Sequence, residues 1–219
     1  YEIWIGIWSM LKNKKRYNIG LALSGGGVKG FAHAGALQAL EEFGIKPDVI
    51  SGTSAGSIVG VLYSSGYSPK QICELFKNRS FVNFTQPMIP SAGFFSPAKF
   101  IEFLKKNIRY NNIEELPIPV RIVATDLDHG NLTVFKEGSI AERVMASSSV
   151  PIVFPPIKID ETYFVDGGIF CNFPVDIIRE ECRFLIGINV NPLVSDQYKQ
   201  SMLDIALRSY RFMFRANSY

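Results

Sequence analysis

Val49-Ile50-Ser51-Gly52-Thr53-Ser54-Ala55-Gly56-Ser57-Ile58-Val59-Gly60-Val61-Leu62 joins two apolar runs through a small-residue centre. It reads as strand, tight turn and helix, with Ser54 at the apex. A serine on such an elbow sits in strained backbone, and its hydroxyl is thrust out above the sheet. Gly52 and Gly56, two before and two after, are needed there because larger side chains would collide with neighbouring backbone. The helix that follows turns its N-terminal amides and positive dipole end toward the hydroxyl. The same five residues also occur as a plain glycine-rich loop, so the meaning of Ser54 depends on what the rest of the chain supplies.

Upstream, Asn18 to Leu23 reads as a buried first strand. It runs into Ser24-Gly25-Gly26-Gly27-Val28-Lys29-Gly30, then a helix from Phe31 to Phe43 stopped by Gly44. Strand, glycine-rich turn and helix in this order build a nest of backbone N–H groups for an anion. One reading is phosphate or dinucleotide binding. The glycine spacing does not match Gly-x-Gly-x-x-Gly cleanly, and Lys29 is followed by glycine, not the Ser or Thr of a Walker loop. The other reading is an oxyanion hole, which a serine elbow shortly downstream favours.

Working outward, Ile45 to Ser51 is expected as the second strand, and the helix after Ser54 runs to about Ser65. Ser68-Pro69-Lys70-Gln71 is a capping box with proline at the first helical position, opening a helix to about Asn78. Residues 81–95 carry four phenylalanines, two prolines and a glycine without a clear period. They read as an irregular surface loop, or as a lip over an apolar substrate site. A helix follows from Ser96-Pro97 to about Asn107. Val120 to Thr125 reads as a central strand ending in the polar turn Asp126-Leu127-Asp128-His129-Gly130. Leu132 to Phe135 is a short strand. Ser139-Ile140-Ala141-Glu142 is a second capping box, opening a helix to about Ala146. Ile157 to Ile159 and Thr162 to Val165 form a hairpin that delivers Asp166-Gly167-Gly168. Phe184 to Val190 is the last core strand. Met202 to Phe214 is a terminal helix rich in arginine and aromatics, suited to a solvated face with a packed back, a membrane surface or a dimer contact.

Composition narrows the function. The 219 residues suit one domain; 47% are hydrophobic and 20% charged. A net charge of +3, without a basic face interleaved with aromatics, gives no argument for nucleic acid. Cys73, Cys171 and Cys182 are an odd number at unpatterned spacing, which fits a reducing, cytoplasmic setting. With His33 and His129 the only histidines, no metal site is expected. Tyr1 to Trp8 is apolar and aromatic, ahead of the basic Lys12 to Arg16. That order is wrong for a secretory signal, and the run is too short to span a bilayer. Residues 1–17 read as an N-terminal extension. Residues 1–9 are either expression-derived, ahead of a start at Met10, or an interfacial anchor. Residues 18–219 are expected to form a single domain, its C-terminal helix open to truncation.

A serine nucleophile needs a base. No histidine lies after Asp166, so the chain order Ser, acid, His of a triad is not available. His33 sits within a helix and suits packing; His129, on a turn, is the remaining triad candidate. The alternative is a carboxylate acting directly on the serine. Asp166 closes a strand beside two glycines, although Asp-Gly is also a common turn; Asp126 is the runner-up.

Taken together, Ser24 to Gly30, Gly52 to Gly56 and Asp166-Gly167-Gly168 resemble the three motifs of the patatin-like phospholipases, in that family's order. Ala124 to Leu127, Ala146-Ser147 through Pro156, and Asn172-Phe173-Pro174 are also similar to its bacterial members. The resemblance covers Ile19 to Val190. It implies a three-layer α/β/α fold on a mostly parallel sheet and a calcium-independent serine lipid acyl hydrolase without cofactor. Ser54 would be the nucleophile and Asp166 the base. The amides of Gly25, Gly26 and Gly27 would form the oxyanion hole, with Lys29, Gly30, Gly52, Gly56, Gly167 and Gly168 as motif support. A carboxylate is a weak base near neutral pH unless burial raises its pKa, so a desolvated Asp166 is expected. The implied substrate is a phospholipid or another acyl ester, met at a peripheral membrane contact and without nucleic acid; a homodimer is a further expectation. An acyltransferase on the same site and a non-catalytic lipid-binding protein are the alternatives. Separation of Ser54 from Asp166 would favour the last.

Overall fold

The computed structural model describes residues 15–77, 86–87, 93–191 and 201–216. The N-terminal aromatic run and most of residues 81–95 therefore lie outside the described residues. Strand β1 (Tyr17–Leu23) leads through a 3-10 turn (Gly27–Gly30) into helix α1 (Phe31–Glu42). Strand β2 (Val49–Thr53) leads into α2 (Ala55–Ser64), followed by α3 (Pro69–Phe76). The two-residue strands β3 (Gln86–Pro87) and β4 (Phe95–Ser96) pair antiparallel ahead of α4 (Ala98–Asn107). Then come β5 (Val120–Asp126), β6 (Asn131–Phe135), α5 (Ile140–Ser147), β7 (Ile157–Ile159) and β8 (Thr162–Asp166). The short helices α6 (Gly168–Cys171) and α7 (Asp176–Arg179), strand β9 (Cys182–Ile188) and helix α8 (Met202–Ala216) complete the order.

The sheet is mixed. Strands β9, β1, β2 and β5 run parallel, as crossover helices dictate. Strands β6 and β8 pair antiparallel with β5, and β7 pairs with β8. Side chains alternate across the pleat. Leu21, Leu23, Ile50 and Ile122 point into the main core, where Val59, Leu62, Leu37, Leu104 and Val144 cover them. On the opposite face Val49 packs with Ile178 and Cys182. The expected α/β/α layering is thus present.

Strand β5 places the site. It pairs with β6 along Ile122 to Asp126, so β6 occupies one whole edge. On the other edge β2 pairs only as far as Val123, opposite Thr53, and β8 takes over at Ala124, opposite Asp166. The strands β2 and β8 approach from opposite directions and meet end to end. Ser54 and Asp166 stand at that junction.

Several boundaries move from expectation for local reasons. The second strand begins at Val49, not Ile45, because residues 43–45 finish α1: Gly44 takes φ 70° and the Ile45 amide donates to the Leu40 carbonyl at 2.8 Å. The last strand ends at Ile188 because the Val190 amide turns to Ser24 Oγ at 3.0 Å. Ser68 and Gln71 form the expected reciprocal capping box. Ser139 does not cap α5; it bridges to Asn112, and Glu142 turns to Arg143 at 2.9 Å.

Candidate active site

Ser54 has φ 51° and ψ −119°, a conformation that L side chains rarely adopt. Its neighbours hold it there. The Ser57 amide and hydroxyl both donate to the Ser54 carbonyl, at 2.9 and 2.7 Å. The Ser54 amide donates to Ser147 Oγ at 2.8 Å. The glycines permit close approach: a Cβ at Gly52 would lie 2.6 Å from the backbone of Gly56 and Ser57, and one at Gly56 2.2 Å from the Leu23 carbonyl oxygen. The elbow is pressed onto the end of β1, where the glycine-rich turn begins.

Asp166 is 2% exposed. The Gly168 amide donates to its Oδ1 at 2.7 Å. The hydroxyls of Ser54 and Tyr210 face its carboxylate and favour the charged form. Burial dominates and pushes its pKa up to about 6, against the opposing pull of these three donors. The expected desolvation of Asp166 is therefore present, and the Ser54 hydroxyl faces its carboxylate. Backbone contacts fix the strand end: the Asp166 amide donates to the Ser149 carbonyl at 3.0 Å, and Thr125 Oγ1 donates to the Asp166 carbonyl at 3.0 Å.

Ser147, at the end of α5, links the two halves. Its hydroxyl accepts from Ser54, and its carbonyl accepts from the Gly167 amide at 3.4 Å. Replacing Ser147 by alanine leaves the buried Ser54 amide without an acceptor. We expect Ser147→Ala to lower kcat for ester turnover by about tenfold or more, with KM little changed. Steady-state kinetics on a soluble ester checks this.

In the glycine turn the Gly25 amide donates to the Asn172 carbonyl at 2.8 Å, which holds the loop. Gly25 is buried against Asn172 and Ser54, whereas Gly26 and Gly27 open toward solvent. Lys29 is exposed on the same turn, and Gly30 packs against Ala55. His33, fully buried in α1, donates from Nε2 to the Ser24 carbonyl at 2.8 Å. Burial lowers its pKa and keeps it neutral. The packing role read for His33 is present, and its hydrogen bond braces the glycine turn.

The other candidate bases are engaged elsewhere. The His129 side chain is 65% exposed, and its Nδ1 lies 2.9 Å from Asp126 Oδ2. The Asp126 carboxylate also accepts from the amides of Asp128 and His129, each at 3.0 Å. These bonds close a surface turn. Two contributors were given no role from the sequence: Ser147, named only within the family-like stretch Ala146 to Pro156, and Tyr210 as a neighbour of Asp166. One serine of the run Ser147-Ser148-Ser149 and a tyrosine in an amphipathic helix carry no local mark of such roles.

A strained serine on a strand-to-helix elbow thus faces a buried carboxylate across the junction of β2 and β8. Residues 21–179 match the patatin-like phospholipase family, and the chain belongs to that family. An uncharacterized NTE family protein of Mycobacterium tuberculosis is 33% identical over 159 residues, 72% of this chain and 44% of that protein. Patatin-like phospholipase domain-containing protein 6 of Homo sapiens is 32% identical over 181 residues, 78% of this chain and 13% of that protein. Lysophospholipase NTE1 of Cryptococcus neoformans is 33% identical over 182 residues, 78% of this chain and 11% of that protein. The chain spans less than half the length of each. Among solved structures, VipD from Legionella pneumophila is similar at a TM-score of 0.47 and 20% identity, covering 76% of this chain and 49% of that one.

Proposed function

We propose that the chain hydrolyses fatty acyl esters of phospholipids or lysophospholipids through an acyl-enzyme on Ser54, with Asp166 as base. The observation that carries this is a strained Ser54 whose hydroxyl faces a buried carboxylate with a pKa pushed up to about 6. The family and the lysophospholipase relative support the substrate class.

In the first half-reaction Ser54 Oγ attacks the ester carbonyl carbon while Asp166 takes its proton. The amides of Gly26 and Gly27 stabilise the oxyanion. The carbon–oxygen bond to the alcohol then breaks, and Asp166 returns the proton to the departing lysolipid or glycerol-phosphate oxygen. In the second half Asp166 takes a proton from water as its oxygen attacks the acyl carbon. The fatty acid leaves, and Ser54 regains its proton. Val28 and Phe31, beside the glycine turn, and Phe170, after Asp166, are exposed apolar side chains next to both halves of the site. They suit contact with an acyl chain or a lipid surface. Among the described residues no helix is long and apolar enough to cross a membrane.

Release of fatty acid from phosphatidylcholine and lysophosphatidylcholine in mixed micelles, with EDTA present, tests this reading. The wild type and His129→Ala are both expected to release fatty acid at equal rates. Because only the ionised Asp166 accepts a proton, kcat/KM is expected to rise with pH through about 6 and level off above it. Activity abolished by EDTA, or lost with His129→Ala, would contradict the mechanism.

A further inference from the structure

Helix α8 follows β9 and packs against α6, the short helix that begins two residues after Asp166. Its outward stripe leaves Met202, Ile205 and Phe212 exposed. Leu207 and Tyr210, about one turn apart, lie on the more buried side. The Tyr210 hydroxyl is shielded from solvent and faces the Asp166 carboxylate. A third polar contact thus reaches the base from an element far from it in sequence.

We propose that Tyr210 is a positioning residue of the active site, donating its phenolic hydrogen to Asp166 so that the carboxylate stays aimed at Ser54. This rests on the reading of Ser54 and Asp166 as the reacting pair. The groups facing the carboxylate are the Gly168 amide, the Ser54 hydroxyl and the Tyr210 hydroxyl. Among the described residues none is a cation, and that choice has a chemical reason. A lysine or arginine here would hold the carboxylate as a stable anion and weaken it as a base. A phenol donates one neutral hydrogen bond, which orients the anion and leaves most of the burial effect in place. Burial and the nearby negative charge push the phenol pKa far above its ordinary value, so the hydroxyl keeps its proton throughout the working pH range. The Ser54 backbone is held by Ser147 and Ser57; the Asp166 carboxylate is held by the Gly168 amide on one side and faced by Tyr210 from α8.

The test is the pH profile of kcat/KM for a soluble ester. Tyr210→Phe keeps the ring and removes the donor. Its acid limb is expected to move upward by about 0.5–1 pH unit, because a contact that favours the anion is lost. Its kcat is expected to fall by about three- to thirtyfold, with KM little changed. Replacing the same residue with 3-fluorotyrosine strengthens the donor without changing its shape, and should move the limb downward. Ile205→Ser, on the outward side of the same helix, should keep the wild-type limb. An acid limb in Tyr210→Phe that coincides with the wild type would overturn the proposal, as would a fluorotyrosine shift in the upward direction. Asp166→Asn separates the two readings. If that variant is inactive while Tyr210→Phe is unshifted, only the role of Tyr210 fails. If it retains full activity, the Ser54–Asp166 pair fails and Tyr210 with it.

Discussion

Ser54→Ala is expected to lower ester turnover by about 10⁴- to 10⁶-fold, and Asp166→Asn by about 10⁴-fold, with the fold of both intact. Removing Oγ abolishes the covalent route. Removing the base leaves a hydroxyl with no group to accept its proton. The two side chains act as a unit, so the double variant should fall little below Ser54→Ala. Stability should move the other way. The Asp166 carboxyl has a folded pKa of about 6 against an ordinary 3.8, so the folded state binds the extra proton between those values. Wild-type stability is therefore lost as pH rises from about 4 to about 6, and the cost of burying the charge is fully present above that window. Asparagine carries no charge and keeps an oxygen for the Gly168 amide. Asp166→Asn is thus expected to be more stable than the wild type by about 1–3 kcal/mol at pH 7.5, and to lose that advantage below about pH 4. Urea denaturation at the two pH values checks the sign.

Gly56→Ala is expected to destabilise the protein by about 3 kcal/mol or more, or to prevent soluble folding. The added Cβ would stand 2.2 Å from the Leu23 carbonyl oxygen and 2.8 Å from that of Ser24. Both are backbone atoms, and Leu23 and Ser24 are themselves hydrogen-bonded within or beside the sheet. Helix α2 would have to lift off β1, carrying Ser54 away from the glycine turn. Any soluble fraction should therefore lose activity more than its stability alone explains. Gly35→Ala is the matched control. Gly35 is exposed in α1, and its added Cβ meets nothing within 4 Å. That change should be neutral or stabilising by up to about 1 kcal/mol. Chemical denaturation of the pair reads the difference.

What could be read from the chain was what local chemistry dictates. An elbow serine demands small flanking residues, so Gly52-Thr53-Ser54-Ala55-Gly56 announced itself. A carboxylate at a strand end beside two glycines did the same for Asp166. What could not be read was partnership between distant backbone groups. Gly25 looks identical to Gly26 and Gly27 in sequence, yet its amide is taken by the carbonyl of Asn172, far along the chain. Ser147 and Tyr210 matter because α5 and α8 come to rest beside the junction of β2 and β8. No periodicity encodes that junction; it follows from β5 changing partners at Ala124. The hydroxyls of Ser51 and Thr53 belong to the same class. In a buried strand they look like polar faults, but they donate to the carbonyls of Pro174 and Cys171 at 2.7 and 2.8 Å, tying the segment after Asp166 to the strand that carries Ser54.

The most direct test of the central claim is covalent. The protein would be treated with an alkyl fluorophosphonate, which reacts with activated serine hydroxyls, and the adduct would be located by intact-mass and peptide mass spectrometry. The account predicts one phosphonyl group per chain, on Ser54, with loss of ester turnover in step. Its rate of formation should rise with pH through about 6 in the wild type, and labelling should be absent in Ser54→Ala and very slow in Asp166→Asn. An active protein that takes no label on Ser54, or is inactivated by a label on another residue, would contradict it.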